Sequence, residues 1–273
     1  MKLSIITINY NDAVGLAKTI NSVIEQSWKD FEYVIIDGGS IDGSVDIIKS
    51  YQDYLTYWVS EPDQGVFNAM NKGIGHAKGD YLLILNSRDV LNGIDTLKSI
   101  FEDQYYDEDI LYGDVFRESQ GKIFTKSIFP DTLNFGFLRH GMISHQAAFV
   151  KRKLHDKVGL YNEYLKFSAD WYFFIMAICK YNSSYRHIKE IIAVCNTDGL
   201  TCNPQNFKAM REENQRILNQ EFGAFLPDYN KLDKLEKKGL NNIIKKMKNM
   251  IVSKFKVLEV MYNIFSYNDI DIK

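Results

Sequence analysis

The sequence predicts an α/β chain built on a wound, mixed sheet, and three observations carry that expectation. Short apolar runs without polar alternation recur at residues 3–8, 31–36 and 81–85, as in strands covered on both faces. Segments with helical period lie between them, at 14–26, 44–54 and 66–77. Each apolar run stops in a polar cluster: Asn9-Tyr10-Asn11-Asp12, Asp37-Gly38-Gly39-Ser40 and Asn86-Ser87-Arg88-Asp89. Strands alternating with helices build parallel units. In a parallel sheet the three clusters share the carboxyl edge, where open α/β sheets bind ligands.

Each element has its own warrant. In 14–26, Leu16, Ile20, Val23 and Ile24 keep the helical period, and in 44–54 Val45, Ile47 and Ile48 are apolar. Residues 57–60 form a short third strand. A turn at Gln64-Gly65 leads into helix 66–77, and Lys78-Gly79-Asp80 turns the chain back into the strand at 81–85. Residues 1–90 therefore read as a nucleotide-binding half. Residues 91–228 are more mixed. Strands at 110–116 and 122–129 pair antiparallel, 147–150 is a further strand, 170–181 an apolar helix, 188–194 a late strand and 206–222 a polar helix.

Residues 229–273 stand apart as a basic amphipathic helical tail. Nine lysines lie between 231 and 256 against Asp233 and Glu236, with Leu240, Ile243, Ile244, Met247, Met250, Ile251, Phe255 and Leu258 spaced as a stripe. Such a helix fits an anionic membrane surface or packs on a protein face.

Composition narrows the function. The chain has 273 residues, 45% hydrophobic and 25% charged, an ordinary globular balance, and its net charge of -2 gives no nucleic-acid footprint. Cys179, Cys195 and Cys202 lack CxxC spacing and read as reduced thiols of a cytosolic protein. No apolar run suits a signal peptide or a bilayer span. Gly38 and Gly43 have phosphate-loop spacing, but Ser44 stands where Lys is required. Gly73-Ile74-Gly75 and Gly79 are out of step for a dinucleotide fingerprint and precede a strand. His140 and His145 have no carboxylate at metal spacing, and no GxSxG elbow occurs.

The polar strand ends remain. Tyr10 can flank a base, Asp37 can accept hydrogen bonds from a base or ribose, and Gly38 lets backbone approach a ligand. Asp89 can hold a divalent cation against a diphosphate. One Asp after a strand is ordinarily a turn or cap residue; three polar ends in order point to a ligand.

The runs SIITINYN, QSWKDFEYVIIDGGSIDGSVDII and SEPDQGVFNAMNKGIGHAKGDYLLILNSRDVL resemble the family-2 glycosyltransferases with the GT-A fold. So do HGMISHQAAFVKRKL and LYNEYLKFSADWYF; the likeness covers about residues 2–222 and is greatest to the bacterial branch that builds surface polysaccharides. It implies a nucleotide-sugar donor, commonly a UDP-sugar, a Mn²⁺ or Mg²⁺ ion on the diphosphate, and single displacement with inversion. By position, Ile8 and Tyr10 would line the base, and Asp37, next to Gly38, would contact uracil or ribose. Asn71 and Lys72 would lie near the nucleotide or its phosphates, with Ser87 and Arg88 beside them. Asp89 would be the metal-side carboxylate and Asp170 the general base, for which the plain alternative is a helix N-cap. Asp114 is placed near the donor sugar or in a turn; His140, His145 and Gln146 have acceptor or structural roles.

The chain departs from the family's metal motif, usually two acids one residue apart, by reading Ser87-Arg88-Asp89. Arg88 pairs with Asp89, reaches the diphosphate or points away. The implied acceptor is a lipid-linked saccharide for capsule or O-antigen, met at the inner face of the cytoplasmic membrane, with the tail as a peripheral anchor. A catalytically degenerate nucleotide-sugar-binding partner is the alternative. A nucleotidyltransferase would need a Gly-rich, basic N-terminal loop that is absent.

Overall fold

A computed structural model describes residues 2–199 and 202–239. β1 (Leu3–Asn9) is buried along its whole length, because helices cover both sides of the sheet it runs through. α1 (Ala13–Ile24) starts where Asp12 accepts a hydrogen bond from Gly15 N, a side-chain cap, and buries Leu16, Ile20 and Val23. β2 (Phe31–Asp37), α2 (Ser44–Ser50), β3 (Tyr57–Ser60), α3 (Val66–His76) and β4 (Tyr81–Ile84) complete the repeating first half. β5 (Val90–Leu91) and α4 (Thr96–Phe101) follow. β6 (Ile110–Ser119) and β7 (Lys122–Ser127) form the expected hairpin. α5 (Phe135–Leu138), β8 (Ala148–Lys151) and α6 (Arg152–Val158) lead to α7 (Ala169–Ile175), which ends in a π-helical turn, Met176–Lys180. β9 (Tyr185–Asn196) and α8 (Phe207–Phe222) come last.

The strands form one sheet in the order β3-β2-β1-β4-β8-β6-β9-β5, with β7 also on β6. β3, β2, β1 and β4 are mutually parallel. β8 runs against both β4 and β6, so β6 and its parallel partner β9 point the same way as β1 and β4. Six strand ends, those of β1, β2, β3, β4, β6 and β9, thereby reach one carboxyl edge. Asn9 is in register with Asp37, so the first two polar clusters lie side by side.

One apolar core joins the halves: Leu3, Ile5, Ile20, Tyr33 and Leu83 pack in the same cluster as Phe101, Leu111, Phe149 and Ile192. The chain divides into two compact units, Met1–Ile217 and Leu218–Lys273. In the second, the described backbone is helical over 226–239. The apolar stripe expected from Leu240 to Leu258 lies outside the described residues. Among the described residues no helix is long and apolar enough to cross a membrane, and the cysteines are free thiols.

Candidate active site

Two clefts open along the carboxyl edge, both within the first unit. One, of about 590 Å³, is lined by Ile8, Tyr10, Gly38, Pro62, Asp63, Gly65, Val66 and Ala69. The other, of about 410 Å³, is lined by Phe67, Met70, Arg88, Asp89, His145, Gln146, Lys166, Phe167, Asp170, Asn196, Asp198 and Cys202. Tyr10, Asp12, Val66, Asn86 and Ser87 line both, so the two are continuous. Asp63 and Tyr10 pack over Gly38: a Cβ there would meet Asp63 Oδ2 at 2.5 Å and Tyr10 Cδ2 at 3.1 Å. Tyr10 is 67% exposed, its ring free at the mouth.

The strand ends are stitched together by hydrogen bonds. Asp37 is fully buried; its Oδ1 accepts from Asn9 Nδ2 at 2.7 Å and Ser40 Oγ at 2.6 Å, and its Oδ2 from Ser40 N at 2.9 Å and Ser60 Oγ at 2.6 Å. Burial raises its pKa, but the hydrogen bonds from Ser40, Ser60 and Asn9 outweigh that and leave it below the usual range. The four donors fill the lone pairs of this carboxylate. Asp37 thus holds the edge together, its four lone pairs taken by donors of the chain itself. Ser87 Oγ donates to Ile8 O and Asn9 Oδ1, and so belongs to the same network.

Arg88 resolves one of the alternatives. It adopts a left-handed backbone, φ +75°, at a cost of about 1–2 kcal/mol for a residue with a Cβ. Its guanidinium turns to Asp12, not Asp89: Nε donates to Oδ2 at 2.6 Å and Nη2 to Oδ1 at 3.1 Å. A Cβ on Gly15 would meet Asp12 Oδ2 at 2.1 Å and Arg88 Cγ at 2.3 Å, so this pair lies flat against the first turn of α1. Asp89 turns inward and is 3% exposed. Its Oδ1 accepts from Asn196 N at 2.8 Å and its Oδ2 from Gln146 Nε2 at 3.1 Å. Burial pushes its carboxyl up to about 6, against the opposing pull of Asn196, His145 and Gln146.

Asp170 is the second residue of α7, whose cap position is Ser168, so it is not a cap. Its Oδ1 accepts from Trp171 N at 2.8 Å, and its Oδ2 lies 2.9 Å from His145 Nδ1. Trp171 is buried and donates through Nε1 to Leu138 O, a packing role.

Other predicted residues lie elsewhere. Asn71 bonds the loop at 161–163, accepting from Tyr161 N and donating to Tyr161 O and Glu163 Oε1. Lys72 pairs with Glu61 at 2.7 Å. Neither lines the two clefts; both brace α3 against neighbouring loops. Asp114 is buried, 3.0 Å from His187 Nε2, and accepts from Phe129 N. His187 also meets Asp131 at 2.7 Å, so Asp114 belongs to a cluster inside the second half. His140 is exposed and outside both clefts. Asp12, Asp63, Asn196 and Asp198 were missed. The signal for the last two was present: Asn196-Thr197-Asp198 is a fourth polar strand end, after β9.

The profile of Glycosyl transferase family 2 matches residues 4–159. The chain belongs to glycosyltransferase family 2. The transferase is 33% identical over 201 residues to a PGL/p-HBAD biosynthesis glycosyltransferase of Mycobacterium bovis, covering 72% of this chain and 77% of that one. Among solved structures it is similar to Staphylococcus aureus TarS 1–349 in complex with UDP-GlcNAc, with a TM-score of 0.63 and 22% identity over 80% of this chain and 67% of that chain. It is also similar to the mannosyltransferase PcManGT of Pyrobaculum calidifontis in complex with GDP-Man and Mn²⁺, with a TM-score of 0.55 and 17% identity over 83% of this chain and 64% of that one. These likenesses bear out the GT-A fold.

The side chains of this glycosyltransferase do not fit a divalent cation held through Asp89. Asp89 is 3% exposed and turned inward onto Asn196 N and Gln146, Ser87 Oγ donates to Ile8 O and Asn9 Oδ1, and the residue between them is a cation paired with Asp12. Among the described residues no group of three His, Cys, Asp or Glu side chains is placed to hold a metal ion.

Proposed function

We propose that this glycosyltransferase moves a monosaccharide from a UDP-sugar to a lipid-linked saccharide or glycolipid acceptor, with inversion. One observation carries the reading: a single continuous cleft holds an open aromatic ring at Tyr10, the cation Arg88 and the carboxylate Asp170. The complexes of the structural neighbours with UDP-GlcNAc and GDP-Man support a nucleotide-sugar, and a relative assigned to PGL biosynthesis supports a lipid-borne acceptor. In this reading the base packs against Tyr10 over Gly38, and the diphosphate faces Arg88. A guanidinium supplies paired N–H donors and a fixed charge, and this stabilises the departing UDP. The acceptor hydroxyl attacks C1 of the sugar. The C1–O bond to UDP breaks and its electron pair leaves with UDP, while the hydroxyl proton passes to Asp170. The tail, by its lysines, supports peripheral binding at the inner face of a bacterial cytoplasmic membrane.

The test is nucleotide release from UDP-, GDP- and dTDP-sugars, with Mn²⁺ or with EDTA, beside calorimetry of UDP binding. We expect one UDP-sugar to be turned over. Asp170→Asn should lower that rate by roughly 10²- to 10³-fold with little change in UDP affinity. Arg88→Ala should weaken UDP binding by roughly 10-fold or more, and EDTA should leave UDP binding in place. Absence of any nucleotide or nucleotide-sugar binding would refute the reading.

A further inference from the structure

We infer that the short turn His145–Ala147 is a positioning device for the reaction, with His145 holding the carboxylate of Asp170 in line with the attacking hydroxyl. The inference rests on the sugar-transfer reading and deepens it. The turn is a single 3₁₀ turn just before β8, and its two polar side chains grip one carboxylate each. His145 Nδ1 lies 2.9 Å from Asp170 Oδ2, and Gln146 Nε2 donates to Asp89 Oδ2 at 3.1 Å. Gln146 is itself held from behind, since Ser144 Oγ donates to its Oε1 at 2.6 Å.

The proton on the imidazole follows from its two neighbours. A carboxylate oxygen can only accept, so Nδ1 carries the hydrogen. On the far side Asn86 Nδ2, an obligate donor, lies 3.2 Å from Nε2, so Nε2 is the bare acceptor. The chain Asn86 to His145 to Asp170 therefore runs in one direction, from the end of β4 to the start of α7. Both oxygens of Asp170 receive one donor each, Trp171 N and His145 Nδ1–H, and each keeps a lone pair. Without His145 the carboxylate would keep only the hydrogen bond from the next backbone amide, and its torsion would be free. Misplacing a proton acceptor by about 1 Å costs on the order of 10²-fold in rate.

His145 does not touch the nucleotide in this arrangement, so its loss should fall on turnover and not on donor binding. The probe is release of nucleotide from the best-turned-over UDP-sugar with water as acceptor, on the full chain. His145→Asn and His145→Gln are compared, because the Asn amide can stand where Nδ1–H stands and the longer Gln amide cannot. We expect kcat of His145→Gln to fall roughly 10- to 100-fold. Its KM for the donor and its calorimetric UDP affinity should stay within about threefold, and His145→Asn should recover most of the rate. Equal rates for the two variants, or a loss of UDP affinity matching the loss of rate, would overturn the inference while leaving the transferase reading intact. Failure of the wild-type chain to bind any nucleotide-sugar would overturn the parent reading and this one with it. Thermal unfolding of each variant identifies a loss of folded protein, and a variant that fails to fold assigns His145 to the core instead.

Discussion

Two carboxylates face the same cleft and are treated differently by their surroundings. Asp89 is desolvated and pinned by Asn196 and Gln146, whereas Asp170 is held by one backbone amide and one imidazole. A third buried titratable group lies outside the cleft. His155 is 7% exposed, stacked on Phe173 with centroids 4.6 Å apart, and its Nδ1 faces Gly159 O at 3.3 Å. Burial pushes its pKa down to about 4, opposed by the hydrogen bond to Gly159. Its ordinary value is near 6.5, so below that pH the unfolded chain binds the extra proton first. The stability carried by the neutral ring is complete above about 6.5 and is lost as the pH falls through about 4, a difference on the order of 3 kcal/mol. His155→Phe keeps the stack and cannot be protonated. It should therefore lose about 2–3 kcal/mol less than the wild type between pH 7.5 and 4.5, read from urea midpoints at both values. Equal losses in the two proteins would show that His155 is not desolvated as described.

At the scale of elements, the turn from α3 into β4 shows how closely a helix return is fitted to the sheet. Gly79 N donates to Ser4 Oγ at 2.7 Å and to Glu32 Oε1 at 3.2 Å. A Cβ on Gly79 would stand 2.6 Å from Leu3 C and Ser4 N, both backbone atoms of a central strand that cannot move aside. Gly79→Ala should cost about 1–3 kcal/mol of unfolding free energy. Gly75→Ala, one turn earlier in α3 with open space around it, should be neutral or stabilise by up to about 1 kcal/mol. A urea titration of the pair tests this, and equal effects would count against the packing argument. The same contrast explains what could be read from the sequence. β1, β2, β4 and the helices between them announce themselves because strands buried on both faces carry no alternation. β5 has two residues and α4 six, too few to set a period. Tyr10, Arg88 and Asp89 were legible as residues of polar strand ends, and Asp170 only through the family resemblance. Asn71 was misplaced because its partner Tyr161 is 90 residues away, and Asp114 because His187 reaches it only through the β6–β9 pairing. Local pattern holds no record of such meetings.

On the scale of the whole molecule, the sheet separates two tasks. The parallel run β3-β2-β1-β4 brings Ile8, Tyr10 and Arg88 to the edge, and the run beyond β8 brings His145, Asp89's partner Asn196 and, through α7, Asp170. Among the described residues, those lining either cleft all lie at or before Cys202. The tail carries a different property. The helix at 226–239 exposes Leu232 and Leu235, and Lys231, Lys234, Lys237 and Lys238 lie on the same stretch. Five further lysines follow before residue 257. Each lysine near an anionic bilayer contributes on the order of 1 kcal/mol. In the membrane role proposed for the tail, nine such contributions would hold the chain on that surface without a span. A chain ending at Asp228 should therefore keep the UDP affinity and donor turnover of the full chain within about twofold. It should also lose co-sedimentation with phosphatidylglycerol vesicles, and binding by the full chain should weaken as salt shortens the screening length from about 10 Å toward 3 Å. Unchanged vesicle binding after truncation would move the membrane contact into the catalytic unit. Loss of UDP affinity would instead mean that the tail supports the donor cleft, and both outcomes are read from one preparation of each chain.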